Sequence, residues 1–74
     1  METAETKTIE VVVNGAARSV PAGISLDRLL KWLQVDASRV AVELNGDIVR
    51  KPDWPGAEVR TGARIEVVWF VGGG

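Results

Sequence analysis

The stretch "IEVVWFV", residues 65–71, carries large apolar side chains at both odd and even positions, apart from one glutamate. Successive side chains of an extended strand point to opposite faces of a sheet, so this stretch is apolar on both faces. A strand that is covered on both faces reads as a nearly continuous apolar run, whereas a half-exposed strand alternates. The stretch therefore predicts a long central strand around which the other elements are arranged.

Two hairpins are the clearest signals outside this strand. The β-branched segment 8–13 runs into Asn14-Gly15, and segment 39–44 runs into Asn45-Gly46. Asn-Gly suits a two-residue hairpin turn because both residues tolerate positive φ. Each turn is followed by a further strand, at 16–20 and 47–49. The residues expected on the core-facing side of the hairpins are Ile9, Val11, Val13, Val40, Val42 and Leu44.

One helix is predicted over "ISLDRLLKWLQV", residues 24–35. Its leucines at 26, 29, 30 and 33 follow the i, i+3, i+4, i+7 spacing of a single buried face. Ser25 is placed to cap the helix, its hydroxyl accepting a hydrogen bond from a backbone N–H, and Asp27 lies favourably in the first turn. Trp32 lies outside the leucine stripe, and we expect it to cover a flank of the core.

The segment "KPDWPG", residues 51–56, is predicted as a loop because its two prolines interrupt regular structure. Trp54 is expected to fill one end of the core. A turn at Thr61-Gly62 then precedes the last strand. Packing is the favoured role for all three tryptophans, since no basic residues alternate with them as in a surface that stacks nucleic-acid bases.

The predicted order is therefore β-β-α-β-β-β. A single helix can cover only one face of one sheet, so the fold class is α+β. With the last strand in the centre, the N- and C-terminal strands lie side by side, which is the β-grasp or ubiquitin-like arrangement. We expect a mixed sheet of four to five strands, with residues 1–7 as a disordered leader, 8–71 as the β-grasp domain and 72–74 as a flexible tail.

Composition excludes several kinds of site. The chain of 74 residues contains no cysteine and no histidine, so it lacks a thiolate nucleophile and the commonest general base and metal ligand. A net charge of -1 argues against binding to nucleic acid. No apolar run is long enough to cross a membrane, and the first residues do not resemble a signal peptide. We therefore expect a cytoplasmic protein with no metal site, no tightly bound cofactor and no membrane or nucleic-acid partner.

The glycines at the end of the sequence are the remaining candidate for function. Together with Val71, Gly72, Gly73 and Gly74 extend roughly 13 Å at about 3.3 Å per residue, and glycines form a very slim chain. Such a tail can place a terminal carboxylate in the active site of another protein. The alternative is a frayed end. The abrupt change from strand residues to glycine favours a functional tail that ends in a reactive Gly74.

Taken together, several segments resemble the sulfur carrier proteins of thiamine biosynthesis. These are "VNG" at 13–15, "LDRLLKWL" at 26–33, "VAVELNGDIV" at 40–49, Trp54, and "IEVVWFVGGG" at 65–74. The likeness covers nearly the whole chain from Ile9, although no single segment is specific. Two departures are the turn "RTGAR", where the family usually has an acidic "DGD", and a longer leader before Thr8.

The resemblance implies a carrier on which other enzymes act, and not an enzyme. An E1-like adenylyltransferase would use ATP to adenylate the carboxylate of Gly74. A cysteine desulfurase or another sulfur donor would then displace AMP to give a thiocarboxylate, and a thiazole synthase would receive the sulfur. Gly72 and Gly73 would enter the active sites of these partners, and the carrier alone is expected to be a monomer.

Partners are expected to dock on the sheet face that the helix leaves uncovered. An exposed apolar patch with charge at its rim is typical of a docking site. Phe70, next to the tail, is the best candidate; the alternative is that Phe70 packs against the loop containing Trp54. The residues predicted for this surface are Val12, Ala41, Glu43, Glu66, Val68, Phe70 and, at the base of the tail, Val71.

Three other functions remain open at this point. The small, sulfur-donating subunit of molybdopterin synthase shares the fold and the glycine tail. A ubiquitin-like modifier would be joined to lysines through Gly74. A β-grasp binding module would not need its tail, so deletion of Gly73 and Gly74 would separate it from the others.

Overall fold

The computed structural model describes residues 7–71. The predictions of a disordered leader and a flexible glycine tail fall on residues outside this range, apart from Lys7, and remain predictions. The strands are β1 (Thr8–Val13), β2 (Ala16–Pro21), β3 (Val40–Leu44), β4 (Asp47–Val49) and β5 (Arg64–Trp69). One α-helix, α1 (Leu26–Trp32), and two 3-10 helices, Ala37–Arg39 and Lys51–Gly56, complete the described part.

The five strands form one mixed sheet in the order β2-β1-β5-β3-β4. Strand β5 pairs in parallel with β1, where Val12 is opposite Arg64 and Val13 is opposite Ile65. It pairs antiparallel with β3 on its other side, and the outer strands β2 and β4 close the two hairpins. The central position of the last strand is confirmed, as are the α+β class and the β-grasp arrangement.

Both Asn-Gly hairpin turns are present as predicted. Asn14 and Gly15 have φ values of 49° and 83°, and Asn45 and Gly46 have values of 54° and 90°. Positive φ at both central residues matches the right-handed twist of the flanking strands. The turns fix the register of each hairpin, so that alternate residues reach the helix side of the sheet.

The core lies between α1 and one face of the sheet. Leu26, Leu29 and Leu30 are fully buried, and Leu33 is partly buried against the same cluster. This confirms the leucine stripe. The sheet and the segment before β5 contribute the buried side chains of Val11, Val20, Val40, Val42, Val59, Ala63, Ile65 and Val67. On the opposite face of the sheet, Ile48, Val68 and Phe70 are exposed.

The beginning of α1 differs from its prediction in one respect. Ser25 occupies the N-cap position, but its side chain makes no capping bond. Its hydroxyl donates to the carboxylate of Asp27, while the Leu26 N–H donates to the Ala57 carbonyl at 2.9 Å. A β-bridge between Ser25 and Glu58 adds a further backbone connection. The helix start is therefore held by the later chain, which local sequence reasoning did not include.

The helix also ends earlier than predicted. Gln34 has φ of +60°, and its N–H donates to the Lys31 carbonyl at 3.0 Å. The Val35 N–H donates to the Leu30 carbonyl at 2.9 Å. These are the two bonds of a Schellman motif, in which one left-handed residue terminates the helix. Glycine usually takes that position, so the sequence carries no clear stop signal here.

The tryptophans were predicted to pack, and only Trp54 does so fully. It is 3% exposed, and its Nε1 donates to the Val49 carbonyl at 2.8 Å. Its segment, Lys51–Gly56, is a 3-10 helix and not an irregular loop, because proline fits near the start of a short helix. Trp69 is 50% exposed, and Trp32, predicted to cover a flank of the core, is 56% exposed. That prediction for Trp32 was wrong.

Candidate functional site

The strand that leads to the glycine tail is fixed on both sides. The side chain of Asn14 bonds both backbone groups of Val67: Oδ1 accepts from its N–H at 2.7 Å and Nδ2 donates to its carbonyl at 3.3 Å. On the other side, the Phe70 N–H donates to the Arg39 carbonyl at 2.9 Å. Backbone pairing therefore continues to Phe70, one residue before the last residue that the structure describes.

The predicted docking residues lie together on the open face of the sheet. Ala41 is directly opposite Val68 on neighbouring strands, and Glu43 is directly opposite Glu66. Val68 is 54% exposed and Phe70 is 61% exposed. Val12 and Ala41 are partly buried, and Val71, at the base of the tail, is almost fully exposed. We call this set of residues, with Ile48 added below, the open-face patch.

Ile48 belongs to the open-face patch and was not among the predicted residues. It is 72% exposed and lies directly opposite Glu43 across the β3–β4 hairpin. A large aliphatic side chain that is this exposed and adjoins other apolar residues is typical of an interaction surface. Counting outward from the Asn45-Gly46 turn pairs residue 43 with residue 48. The sequence therefore allowed Ile48 to be placed on the same face as Glu43.

Two carboxylates form the charged part of the patch. Glu43 and Glu66 face each other on the two central strands β3 and β5. Like charges in directly opposite positions reduce the stability of a sheet. Neither side chain takes part in the ion pairs found among residues 7–71, which join Arg39 to Asp36 and Arg60 to Glu58. Arg64 lines the same groove as these two carboxylates, so this side of the apolar patch carries two negative charges and one positive charge.

Phe70 borders a groove of about 340 Å³ that adjoins the open-face patch. The opposite wall is formed by the 3-10 helix that contains Lys51, Pro52 and Trp54, and Ile48 also lines the groove. The ring of Phe70 thus lies near the Trp54 segment, as the alternative expectation held, but it remains largely exposed. The groove and the exposed ring together offer a concave and a convex contact next to the tail.

Hydrogen bonds from nearby serines lower the pKa values of two aspartates. A hydrogen bond from the Ser38 hydroxyl is the main cause that lowers the pKa of Asp36, and a bond from the Ser25 hydroxyl does the same for the pKa of Asp27.

Between residues 7 and 71, no three carboxylate or other ligating side chains cluster as a metal site would require. Over that same range, no helix has the length and apolarity needed to span a membrane.

Comparison with known proteins gives a consistent result. The model of the family described as "ThiS family" matches residues 6–74. The crystal structure of the thiamine biosynthesis protein ThiS from Geobacter metallireducens superposes with a TM-score of 0.80 at 32% identity, covering 89% of this chain and 100% of that one.

Two relatives differ from each other in length. A protein named thiazole synthase from Paramagnetospirillum magneticum is 39% identical over 66 residues, which are 89% of this chain but 20% of that protein. The chain therefore spans about a fifth of that relative. The uncharacterized protein ycf40 of Pyropia yezoensis is 33% identical over 89% of this chain and 93% of its own length. The family match over residues 6–74 and the close structural likeness show that the chain belongs to the ThiS family.

Proposed function

We propose that this protein is a sulfur carrier for thiazole formation in thiamine biosynthesis, and that it acts as a substrate for partner enzymes and not as a catalyst. The observation that carries the proposal is the match to the ThiS family, which extends through Gly74. The central, doubly anchored β5 supports it, because the backbone is held in the sheet as far as Phe70, directly before the base of the tail.

The proposed chemistry takes place on the main chain. A carboxylate is a poor electrophile, so the carboxylate of Gly74 first attacks ATP in the active site of an E1-like adenylyltransferase, and pyrophosphate leaves. The sulfur of a donor, such as the persulfide of a cysteine desulfurase, then displaces AMP from the acyl adenylate. The product is an acyl disulfide that joins carrier and donor. A thiol reductant supplies two electrons to cleave its sulfur–sulfur bond, which releases the donor as a thiol and leaves a thiocarboxylate on the carrier, whose sulfur is a better nucleophile than the original oxygen.

The open-face patch is the proposed docking site for the adenylyltransferase. Its exposed apolar side chains, Ile48, Val68 and Phe70, supply the apolar centre, and Glu43 and Glu66 supply negative charge at the rim. This composition matches that of protein interfaces. Gly72 and Gly73 would then enter the narrow part of the partner's active site, where side chains have no room.

A thiazole synthase is the proposed sulfur acceptor. Support comes from relatives named thiazole synthase, which contain a segment like this chain within a polypeptide about five times as long. Covalent connection of a carrier to its acceptor raises the effective concentration of the tail at the site of transfer.

The choice of acceptor is tested by single-turnover transfer. The thiocarboxylated chain is mixed in parallel with a thiazole synthase and with the large subunit of a molybdopterin synthase, each with its own substrate. Sulfur transfer to the thiazole product alone is the expected result. Transfer only to the molybdopterin precursor would assign the carrier to the other pathway.

A further inference from the structure

A second groove lies on the helix side of the molecule, separate from the open-face patch. Its volume is about 500 Å³. One wall is formed by Pro21 at the end of β2 and by residues 22–24 of the loop that follows, and the other by Arg28, Lys31 and Trp32 of the helix. We call it the helix-side groove. The proposed docking of the activating enzyme on the open face does not use any of these residues.

The floor and the rim of this groove differ in chemistry. Pro21, Ile24 and Trp32 give the groove an apolar surface. Trp32, the last residue of α1, is 56% exposed. Tryptophan is one of the residue types enriched among the few side chains that contribute most of the binding energy at protein interfaces. An apolar centre with a charged rim is the usual composition of a protein-binding surface.

The charged residues that line the groove within the described range 7–71 are two cations. Arg28 and Lys31 are exposed and lie one helical turn apart on the side that bears Trp32. Neither is paired with a carboxylate in the ion pairs found within residues 7–71, and no acidic side chain lines the groove. The nearby carboxylate of Asp27 is hydrogen-bonded by Ser25 at the helix start. An acidic occupant would therefore complement the groove.

The groove and Val67, in the strand that leads to the tail, lie at opposite ends of β1. The Ala22 N–H, in the wall of the groove, donates to the carbonyl of Lys7 just before β1. Asn14, just after β1, bonds Val67 in the strand that leads to the tail. The intervening strand measures roughly 23 Å at about 3.3 Å per residue. A protein bound in the groove would leave both the tail and the open-face patch accessible.

We propose that the helix-side groove binds an acidic, apolar segment of a partner protein, with an apolar side chain on Trp32 and carboxylates on Arg28 and Lys31. The carrier would thereby hold one partner at the groove while its tail is processed by another. The proposal does not depend on the chemistry of the tail.

The test uses the full chain, labelled with ¹⁵N, and a short capped peptide of glutamate and leucine residues as the probe. We expect saturable shifts of the Ala22 and Gly23 amides and of the Trp32 indole at low salt. The double variant R28E/K31E should weaken binding by about fivefold or more. The variant R50E/R64E, which reverses two cations outside the groove, is the matched control and should bind normally. Trp32→Ala should also weaken binding with its amide spectrum otherwise retained.

Four results would overturn the proposal. The first is no saturable shift, and the second is equal binding of the peptide in which lysine replaces glutamate. The third is a set of Trp32 shifts that depend on the concentration of the chain itself without peptide, which would assign the groove to a second copy. The fourth is a change in the Trp32 signals on deletion of residues 1–6, which would assign it to the chain's own first residues.

Discussion

The side chain of Asn14 occupies the place of a strand beside Val67, where it bonds both the N–H and the carbonyl of that residue. Asn14 therefore has two roles: it adopts the positive φ of the β1–β2 turn and it extends the pairing of the central strand beyond the end of β1. Asn45 likewise adopts the positive φ of its turn, but its side chain makes only one bond to β5: its Oδ1 accepts from the Arg64 N–H at 2.9 Å.

Replacing Asn14 by glycine should lower the free energy of unfolding by about 1–3 kcal/mol. Glycine keeps the turn conformation, so the loss reports the two side-chain bonds and the Val67 groups left without them. Asn45→Gly is the matched control and should cost less, because it removes one bond. Urea denaturation of both variants measures the difference. An equal or smaller loss for Asn14→Gly would show that its bonds to Val67 contribute little.

Replacing Gln34 by glycine should stabilise the protein by about 0.5–1 kcal/mol. Gln34 has φ of +60°, a conformation that costs free energy for a residue with a Cβ atom and little for glycine. Lys31→Gly, in the last turn of α1, is the control and should destabilise by about 0.5–1 kcal/mol. Thermal unfolding compares the two. A loss of stability in Gln34→Gly would contradict the Schellman ending of the helix.

The lowered pKa of Asp36 makes the free energy of unfolding depend on pH in the acid range. The Ser38 hydroxyl, which donates to Asp36 Oδ1 at 2.7 Å, is the main cause. Because the folded pKa is below the unfolded one, the unfolded state takes up protons first as the pH falls. The stabilising contribution is therefore complete above about pH 4 and lost below it.

The variants Asp36→Asn and Ser38→Ala should both flatten the dependence of stability on pH below about pH 4. Denaturation midpoints measured at intervals of acid pH give the slopes for both variants and for the unchanged chain. Slopes that match the unchanged chain in both variants would show that the hydrogen bond between Ser38 and Asp36 does not contribute to acid sensitivity.

Phe70→Ala should impair activation by the adenylyltransferase without impairing folding. The ring is 61% exposed, so its loss should change the free energy of unfolding by no more than about 0.5 kcal/mol. The ring is an exposed aromatic anchor of the proposed docking surface. Its removal should therefore lower kcat/KM for adenylation by about tenfold or more, mainly by raising KM. The exchange of pyrophosphate into ATP measures this rate.

Trp32→Ala is the control for that measurement, because it also removes an exposed aromatic ring but lies on the helix side. It should leave adenylation unchanged. If Phe70→Ala were activated as well as the unchanged chain, or if both variants were impaired alike, Phe70 would have no specific part in docking.

Much of the fold was predictable because its signals are local. The doubly apolar 65–71 stretch predicted a central strand, and the two Asn-Gly turns predicted the hairpins and their registers. Together with the leucine stripe of one helix, these elements leave little choice of topology. The alternation along the same strand placed Val68 and Phe70 on the sheet face opposite the helix, and the structure shows that both are exposed there.

The errors concern the two ends of the helix and the position of Trp32. The Leu26 N–H is satisfied by Ala57, so Ser25 does not have to cap the helix with its side chain. Gln34 ends the helix without the glycine that would have marked its end. Trp32, which lies outside the leucine stripe, was expected to cover a flank of the core, but the short helix presents it beside an open groove. Helical spacing alone does not show which flank is covered.

The central claim is that the carboxylate of Gly74 accepts sulfur. Intact-mass measurement of the chain tests it most directly, after incubation with ATP, an E1-like adenylyltransferase that activates ThiS-family carriers and a persulfide donor, followed by a reductant. A variant that lacks Gly73 and Gly74 is the control, and the ThiS protein of Geobacter metallireducens verifies that the enzymes are competent. The account predicts that the full chain gains the mass difference between one sulfur and one oxygen atom, localised to Gly74, and that the truncated chain does not. An unchanged mass of the full chain beside a converted Geobacter protein would contradict it.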